Sequence, residues 1–439
     1  MAGLLAARVL ADHYEQVILV ERDSFPEEIG EQRRGVPQGR HAHGILASGA
    51  NVLDEFFPGI SDQLVQAGAV PTDIARDIRR YLAGGCLSRF ESRLRGLCSS
   101  RPLLEAMVRA RVKSLPNLLM CENRPVQALL ATPDNRRVTG VRMGCETLSA
   151  NLVIDTTGRG SRSPQWLEAM GYQRPREDRV EIALGYTTRY FRRSPEQCNG
   201  DIVTLVAPTL EGKRGGVMLA QEDNCWIVTL FGYFGNYAPS ELAGFLEFAK
   251  SLPAPYIHDV IRNAEPVGEP VSARFPASVR HRYEHLQRFP DGYLVFGDAI
   301  SSFNPIYGQG MSVAALQAVE LNTALQEDSD TLAPRFFARA AKVVDIPWSI
   351  AAGSDLRMPE VTGQRNAMVK FKNWYMTKLH RAAHHDRALT LAFLNVANLL
   401  VPPGSLVHPR IMLRVLWGNW RRREKALTKD ACLQAVTGA

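Results

Sequence analysis

YLVFGDAISSFNPIYGQGMSVAALQA, residues 293–318, is the stretch of the 439-residue chain that decides the fold. Tyr293 to Phe296 is a short, continuous apolar run, as in a parallel strand buried on both faces. It stops at Gly297, whose missing side chain permits close approach of a ligand or a second backbone. Asp298 follows, with a carboxylate able to accept hydrogen bonds from sugar-like hydroxyls. Pro305, Gly308, Gln309 and Gly310 then lead into a helix expected over 310–326, whose first free amides favour negative charge. Strand, glycine, acid, loop and helix tip in this order describe a ligand-facing corner of an α/β domain.

Two further junctions have the same character. At the start, Ala2-Gly3-Leu4-Leu5-Ala6-Ala7 opens a helix with Leu4, Leu5, Val9 and Leu10 on one side, followed by the apolar run Gln16–Glu21. Helix then strand is the second half of a βαβ unit. Gly3 matches the third glycine of a GxGxxG fingerprint, which lets the helix pack tightly on a strand. Glu21 lies 18 residues further on, where such folds place the acid that binds ribose hydroxyls. The third junction, Asp155-Thr156-Thr157-Gly158-Arg159-Gly160-Ser161, ends the apolar strand 152–158.

Between about 180 and 284 the texture changes to β-rich segments (182–190, 201–206, 216–221, 225–233 and 271–275), with a hairpin turn expected at Glu222-Asp223-Asn224. After 330 the pattern is helical, over 332–344, 365–384, 388–400 and 409–422. The expected fold class is α/β (α+β overall). A Rossmann-like dinucleotide domain (1–70, 95–165 and 285–330) is interrupted by an antiparallel-sheet substrate domain (71–94 and 166–284), and a helical region (331–439) follows.

Composition excludes several classes. The hydrophobic fraction of 45% and charged fraction of 22% are ordinary for a globular chain. A formal charge of +7 comes without a docking motif for nucleic acid, and suits anionic small molecules. Seven scattered cysteines form no CxxC and no metal spacing, as in a reduced, cytoplasmic protein. His41 and His43 lack a third ligand at a suitable spacing, so no metal site is expected. The longest low-charge run, 388–401, is shorter than the roughly 20 residues of a membrane span.

Six stretches together carry a family resemblance: AGLLAARVLADHYEQVILVERD, RRGVPQGRHAHGILASGA, SSRPLLEAMVRARV, VIDTTGRGSR, GYLVFGDAISSFNPIYGQGMSVAALQA and IPWSIAAGSDLRMPEV. The chain resembles the FAD-dependent monooxygenases of the para-hydroxybenzoate hydroxylase fold, most of all the bacterial branch similar to squalene epoxidase and polyether-forming polyene epoxidases. The resemblance implies FAD as cofactor and NAD(P)H as co-substrate, with one atom of O₂ passed to a hydrophobic or aromatic molecule. It also implies roles for residues. Glu21 and Arg22 would hold the adenosine ribose, and the backbone of Val126 would meet adenine. Arg34 would lie near the isoalloxazine or ribityl chain, with Arg33 and Arg40 as neighbouring competitors, and Arg101 would reach the cofactor from its helix. Asp298 would bind the ribityl–pyrophosphate region, and Gly310 and Met311 the flavin pyrimidine edge. Asp155, Gly158, Gly297, Pro305 and Gly308 would frame the site. No catalytic side chain is nominated, because the cofactor performs the difficult chemistry.

The family's opening strand and first two glycines would precede Ala2. An upstream start is the expected explanation and a truncated, non-catalytic flavoprotein the alternative; the chain as written is expected to bind FAD poorly. A flavin-dependent halogenase would carry WxWxIP and a lysine near the flavin, and that motif is absent. A flavin-dependent reductase of a C=C bond would consume no O₂. Phe231, Tyr233, Phe234 and Tyr237 are candidates to line a substrate cavity, although aromatic residues on a sheet more often belong to the core. The apolar residues Leu413, Val415, Leu416, Trp417 and Trp420 are expected to pack on the flavin domain, with a membrane surface as the alternative.

Overall fold

A computed structural model describes residues 1–26, 28, 30–33, 35–194, 197–327 and 331–421, without the side chains of 198 and 199. Three layers of construction position the site: short parallel strands with helices around them, one large sheet, and a helical C-terminal region.

The dinucleotide half follows its sequence pattern closely. Helix Ala2–Leu10 buries Leu4, Leu5 and Val9. The strand Val17–Val20 pairs in parallel with Leu118–Cys121, and Val153–Asp155 pairs in parallel with Tyr293–Val295. These are two separate two-stranded pieces rather than one continuous sheet. Helix Gly310–Gln326 has the bounds its sequence suggests. It packs against helices Ala2–Leu10, Ala47–Phe56 and Leu332–Asp355, and its Gln317 side chain accepts from the Gly297 amide at 2.9 Å.

The large sheet has eight strands, in the order Ser301–Ser302, Pro266–His281, Glu177–Arg192, Cys225–Tyr233, Arg214–Gln221, Val203–Val206, Ile78–Leu82 and Gly85–Cys86. It is mixed, not purely antiparallel as expected, because Val203–Val206 runs parallel to Ile78–Leu82. That pairing joins residues more than 120 positions apart, which local patterning cannot announce. Pro266–His281 and Glu177–Arg192 are each 16 residues long, well beyond the expected runs. Their ladder absorbs irregularities between Glu181 and Leu184 and between Thr188 and Tyr190, and such bulges re-aim side chains along a long strand. Between Gln221 and Cys225 the expected hairpin turn forms, with Asp223 and Asn224 at φ +59° and +48°.

The strand Cys225–Tyr233 is apolar almost throughout because both faces are covered. Trp226, Val228 and Leu230 pack with Phe245, Phe248 and Ile257 of two small helices. Phe231 and Tyr233 point to the opposite side, with Leu184, Phe275 and Met358.

Two C-terminal expectations are corrected. The helix expected to end at 344 continues to Asp355 through Pro347. Val344, Pro347, Ala351 and Asp355 stay buried at helical spacing, so packing outweighs the lost backbone hydrogen bond. The helix at 409–421 is seated through Val415, while Leu413, Leu416, Trp417 and Trp420 face solvent rather than the flavin domain.

Helix Gly310–Gln326 is held in place by contact at backbone distance. A Cβ at Gly49 would stand 2.7 Å from Ser312 Oγ and 2.8 Å from Ser312 Cα. Gly49→Val is therefore expected to lower the unfolding free energy by about 1–3 kcal/mol, read as a reduced urea midpoint. An unchanged midpoint would show that the two helices separate freely.

Candidate functional site

The three strand ends converge on one cavity of about 2420 Å³. Its wall includes Gly3, Glu21, Arg22, Arg101, Val126, Asp155, Gly158, Asp298, Pro305, Gly308, Gly310 and Met311. Gly297 sits just behind the wall, at φ +68°, where a Cβ would stand 2.7 Å from that of Ala2. Arg34 lies outside the described residues. The facing strands Val17–Val20 and Val153–Asp155 also border the cavity.

Each residue has a distinguishable job. Gly3 allows its helix to meet the third junction, since a Cβ there would lie 2.8 Å from Thr156 Oγ1. Glu21 ends its strand, its amide donating to Cys121 O at 2.8 Å, and its carboxylate pairs with Arg33 at 2.5 Å. Arg33 also reaches Glu105 at 2.5 Å, and Arg101 pairs with Glu105 at 3.3 Å. Of the neighbouring arginines, Arg33 lines the cavity and Arg40 does not. Arg22 is mostly exposed, 3.5 Å from Asp23.

Asp155 holds its own loop. Its carboxylate accepts from the Thr157 amide at 2.8 Å and from the hydroxyls of Thr157, Ser161 and Ser163. That turn presents Gly158 at φ +73°, where a Cβ would lie 3.8 Å from Asp298 Cβ. Asp298 follows the buried strand end and is itself exposed to the cavity. Burial raises its carboxyl above the ordinary value, with Arg101 the strongest pull the other way. The Gly310 end of the long helix is beside it: a Cβ there would lie 3.6 Å from Asp298 Oδ1. Gln309, buried just before that helix, leaves Oε1 without a hydrogen-bond partner.

The cavity runs on from this polar end to the face of the large sheet. Tyr186, Phe231, Tyr233 and Phe275 line it there. Phe231 and Tyr233 belong to the buried core and border the cavity as well, whereas Phe234 and Tyr237 are outside the wall. His41 ties the two halves together, its ring 2.8 Å from Thr188 Oγ1 and edge-on to Tyr186. Burial pushes both His41 and His43 down to about 4, so both are neutral at pH 7.

One cluster in the wall was not singled out from sequence. Asp355 accepts from Asn304 Nδ2 at 3.0 Å, Tyr307 Oη at 3.0 Å and Tyr233 Oη at 3.4 Å. It ends its helix, where the dipole opposes negative charge. Burial pushes its carboxyl up to about 7, against the lowering effect of these donors and of Arg357. Only its membership in the stretch IPWSIAAGSDLRMPEV marked it, because its partners come from distant segments.

An acid raised in the folded state stabilises the fold at low pH. That stability is lost as pH rises from the ordinary value of 3.8 through about 7. The wild-type curve minus that of Asp355→Asn is expected to fall across this window with a slope approaching roughly 1.4 kcal/mol per pH unit. Parallel curves from urea unfolding between pH 4 and 8 would refute the assignment.

Comparison with known proteins places this geometry. No family model matches the chain. Among solved structures, the flavin-dependent brominase Bmp2 superposes with a TM-score of 0.67 at 12% identity, over 96% of this chain and 97% of that one. PqsL of Pseudomonas aeruginosa, described as a probable FAD-dependent monooxygenase, gives 0.62 at 15% identity, over 82% and 94%. The p-nitrophenol 4-monooxygenase PnpA of Pseudomonas putida DLL-E4 gives 0.62 at 16% identity, over 91% and 95%. Protein Rv3254 of Mycobacterium tuberculosis is 35% identical over 387 residues, 83% of this chain and 80% of that protein. The chain belongs to the same family as Rv3254, and its backbone has the fold of the flavin-dependent monooxygenases and halogenases.

Proposed function

We propose that the protein is an FAD-dependent monooxygenase that uses NAD(P)H and O₂ to place one oxygen atom on an apolar alkene or aromatic substrate. The observation that carries this reading is the continuity of the cavity: one end gathers three strand termini and a helix tip, and the other is walled by the apolar face of a sheet.

The residues present fit the cofactor. Glu21, backed by Arg33, offers a carboxylate to ribose hydroxyls, and Asp298 offers another to the ribityl–pyrophosphate region. Gly158 and Gly308, at φ +73° and +64°, keep side chains out of that path. Gln309 Oε1, buried without a partner, is an acceptor for a hydroxyl or ring N–H. The free amides at Gly310, Met311 and Ser312 favour the negative charge of a reduced ring. When bound, FAD would supply the redox chemistry with O₂. The chain's part is to orient it, exclude water from the sheet side and hold neutral His41 and His43 at the boundary. A short-lived visit by NAD(P)H is sufficient, since no second glycine-rich fold is evident in the sequence.

The halogenases that share this fold prompt a second reading, but the wall disfavours it. Among the described residues, Lys372 is the only lysine lining the cavity, and the WxWxIP motif is absent from the sequence.

Two measurements test the proposal. Asp298→Ala is expected to weaken FAD binding about tenfold or more, the loss of one charge-assisted hydrogen bond of about 1.5–3 kcal/mol; equal affinity by flavin fluorescence titration would displace Asp298 from the site. NAD(P)H oxidation is expected to be accompanied by substrate-stimulated O₂ uptake across a panel of polyenes and aromatics. Uptake absent with every compound, or turnover that requires bromide or chloride, would overturn the monooxygenase reading.

A further inference from the structure

The C-terminal region exposes apolar surface in a pattern that interior packing does not explain. On the helix at 409–421, Leu413, Leu416, Trp417 and Trp420 follow i, i+3, i+4, i+7 spacing, one continuous face. On the neighbouring helix Ala367–Ala383, Met368, Phe371 and Trp374 repeat every third residue. All seven side chains are between 45% and 66% exposed. The helices are nonetheless firmly packed on each other: Val415 is buried with Tyr375 and Leu379, and Asn419 Nδ2 donates to Lys378 O at 2.9 Å. The helix is thus apolar on both sides: Ile411, Met412 and Val415 pack inward, and Leu413, Leu416, Trp417 and Trp420 form a second apolar stripe left facing outward. Monomers seldom leave contiguous apolar surface of this kind open, and such surface marks an interaction site.

Charge narrows the partner. Between residues 361 and 421 the chain has nine Lys or Arg and a single acid, Asp386. The local excess of +8 is greater than the +7 of the entire chain. Lys370, Lys372 and Arg410 are exposed beside the aromatic residues, and the Arg421 guanidinium lies 4.9 Å from the Trp417 ring centre. Tryptophan amid basic residues suits the headgroup level of an anionic bilayer, where an amphipathic ring has one apolar and one wet side. No helix among the described residues is long and apolar enough to cross a membrane.

The cavity reaches the same region. Met368, Phe371 and Val407 are exposed and also line it. Its wall is thus continuous from this surface to the sheet face at Phe231 and Tyr233.

We propose that this face docks on an anionic lipid surface, so that the cavity mouth meets the bilayer and the substrate is an apolar compound dissolved in it. The docking stands on the surface itself; the substrate class rests on the oxygenase reading above. Contact with lipid lets an apolar molecule enter the cavity without crossing water, and the basic rim is attracted to an anionic membrane surface.

The test is vesicle binding by the full-length protein, which needs neither cofactor nor turnover and so fails independently of the oxygenase reading. Co-sedimentation is expected with phosphatidylcholine vesicles containing phosphatidylglycerol, weaker with phosphatidylcholine alone, and reduced by salt. The double variant Trp417→Ser/Trp420→Ser, altered only at exposed positions, is expected to bind at least tenfold more weakly. Lys370→Glu/Arg410→Glu is expected to lose the preference for anionic lipid. Brominated lipids are expected to quench the fluorescence that Trp374→Phe removes, placing the mouth against acyl chains. Absence of sedimentation would overturn the proposal, as would wild-type binding by the tryptophan variant or an unquenched Trp374. A dimer dissolved by the tryptophan substitutions, without vesicle binding, would assign the face to a second copy of the chain instead.

Discussion

The site depends on how closely one helix can approach two strand ends. Helix Ala2–Leu10 meets the third junction through Gly3, where a Cβ would lie 2.8 Å from Thr156 Oγ1, and meets the turn after the strand Tyr293–Val295 through Ala2, 2.7 Å from where a Cβ of Gly297 would be. Neither contact leaves room for a methyl group without movement of its neighbour. With the helix at this distance, Glu21, the Asp155 turn and Asp298 border a common space. Displacing it would separate them, and close packing does not absorb such a shift gradually. Gln317 closes the arrangement from the other side, fixing the Gly297 amide from the helix whose tip faces the cavity.

Much of this was legible because it is encoded locally. A glycine at a strand end, an acid after it and a helix start twelve residues later occupy one stretch of chain, and backbone geometry makes their order meaningful. The role of Asp155 was less visible: sequence shows an acid at a strand end, but only the fold reveals that its oxygens are engaged by Thr157, Ser161 and Ser163. The Asp355 cluster was illegible for another reason. Tyr233, Asn304 and Tyr307 stand 122, 51 and 48 positions away from it, and no periodicity joins them. The same limit hid the parallel pairing of Ile78–Leu82 with Val203–Val206.

Asp355 also illustrates how the two halves are coupled. Its carboxyl draws on Tyr233 from the sheet and on Asn304 and Tyr307 from the loop that precedes helix Gly310–Gln326. Removing any one donor would leave a buried acid less satisfied and the loop less fixed. The same loop carries Gly308 and Gln309, so the helix tip and the sheet face share one anchor. His41 provides a second tie, from the loop after Arg33 to Thr188 on the sheet.

The cavity thus has two chemically different ends joined by a fixed middle. Glu21, Arg33, Arg101 and Asp298 are charged wall residues where a dinucleotide would lie. At the sheet face the wall is aromatic, and beyond it the exposed rim is aromatic and basic. Such a gradient separates the requirements of the ligands. A polar cofactor needs satisfied hydrogen bonds, because an unpaired buried polar group costs about 1–3 kcal/mol. An apolar substrate needs surface that water does not solvate well, worth roughly 25 cal/mol for each Å² it covers. A helix packed with its apolar stripe outward makes physical sense only at the apolar end, where exposure to water is unfavourable and contact with hydrocarbon relieves it. The inner side of that helix is apolar as well, with Ile411, Met412 and Val415 in the cluster of Tyr375 and Leu379 and Gly418 against Ala382, so the outer stripe is apolar surface that interior packing does not use.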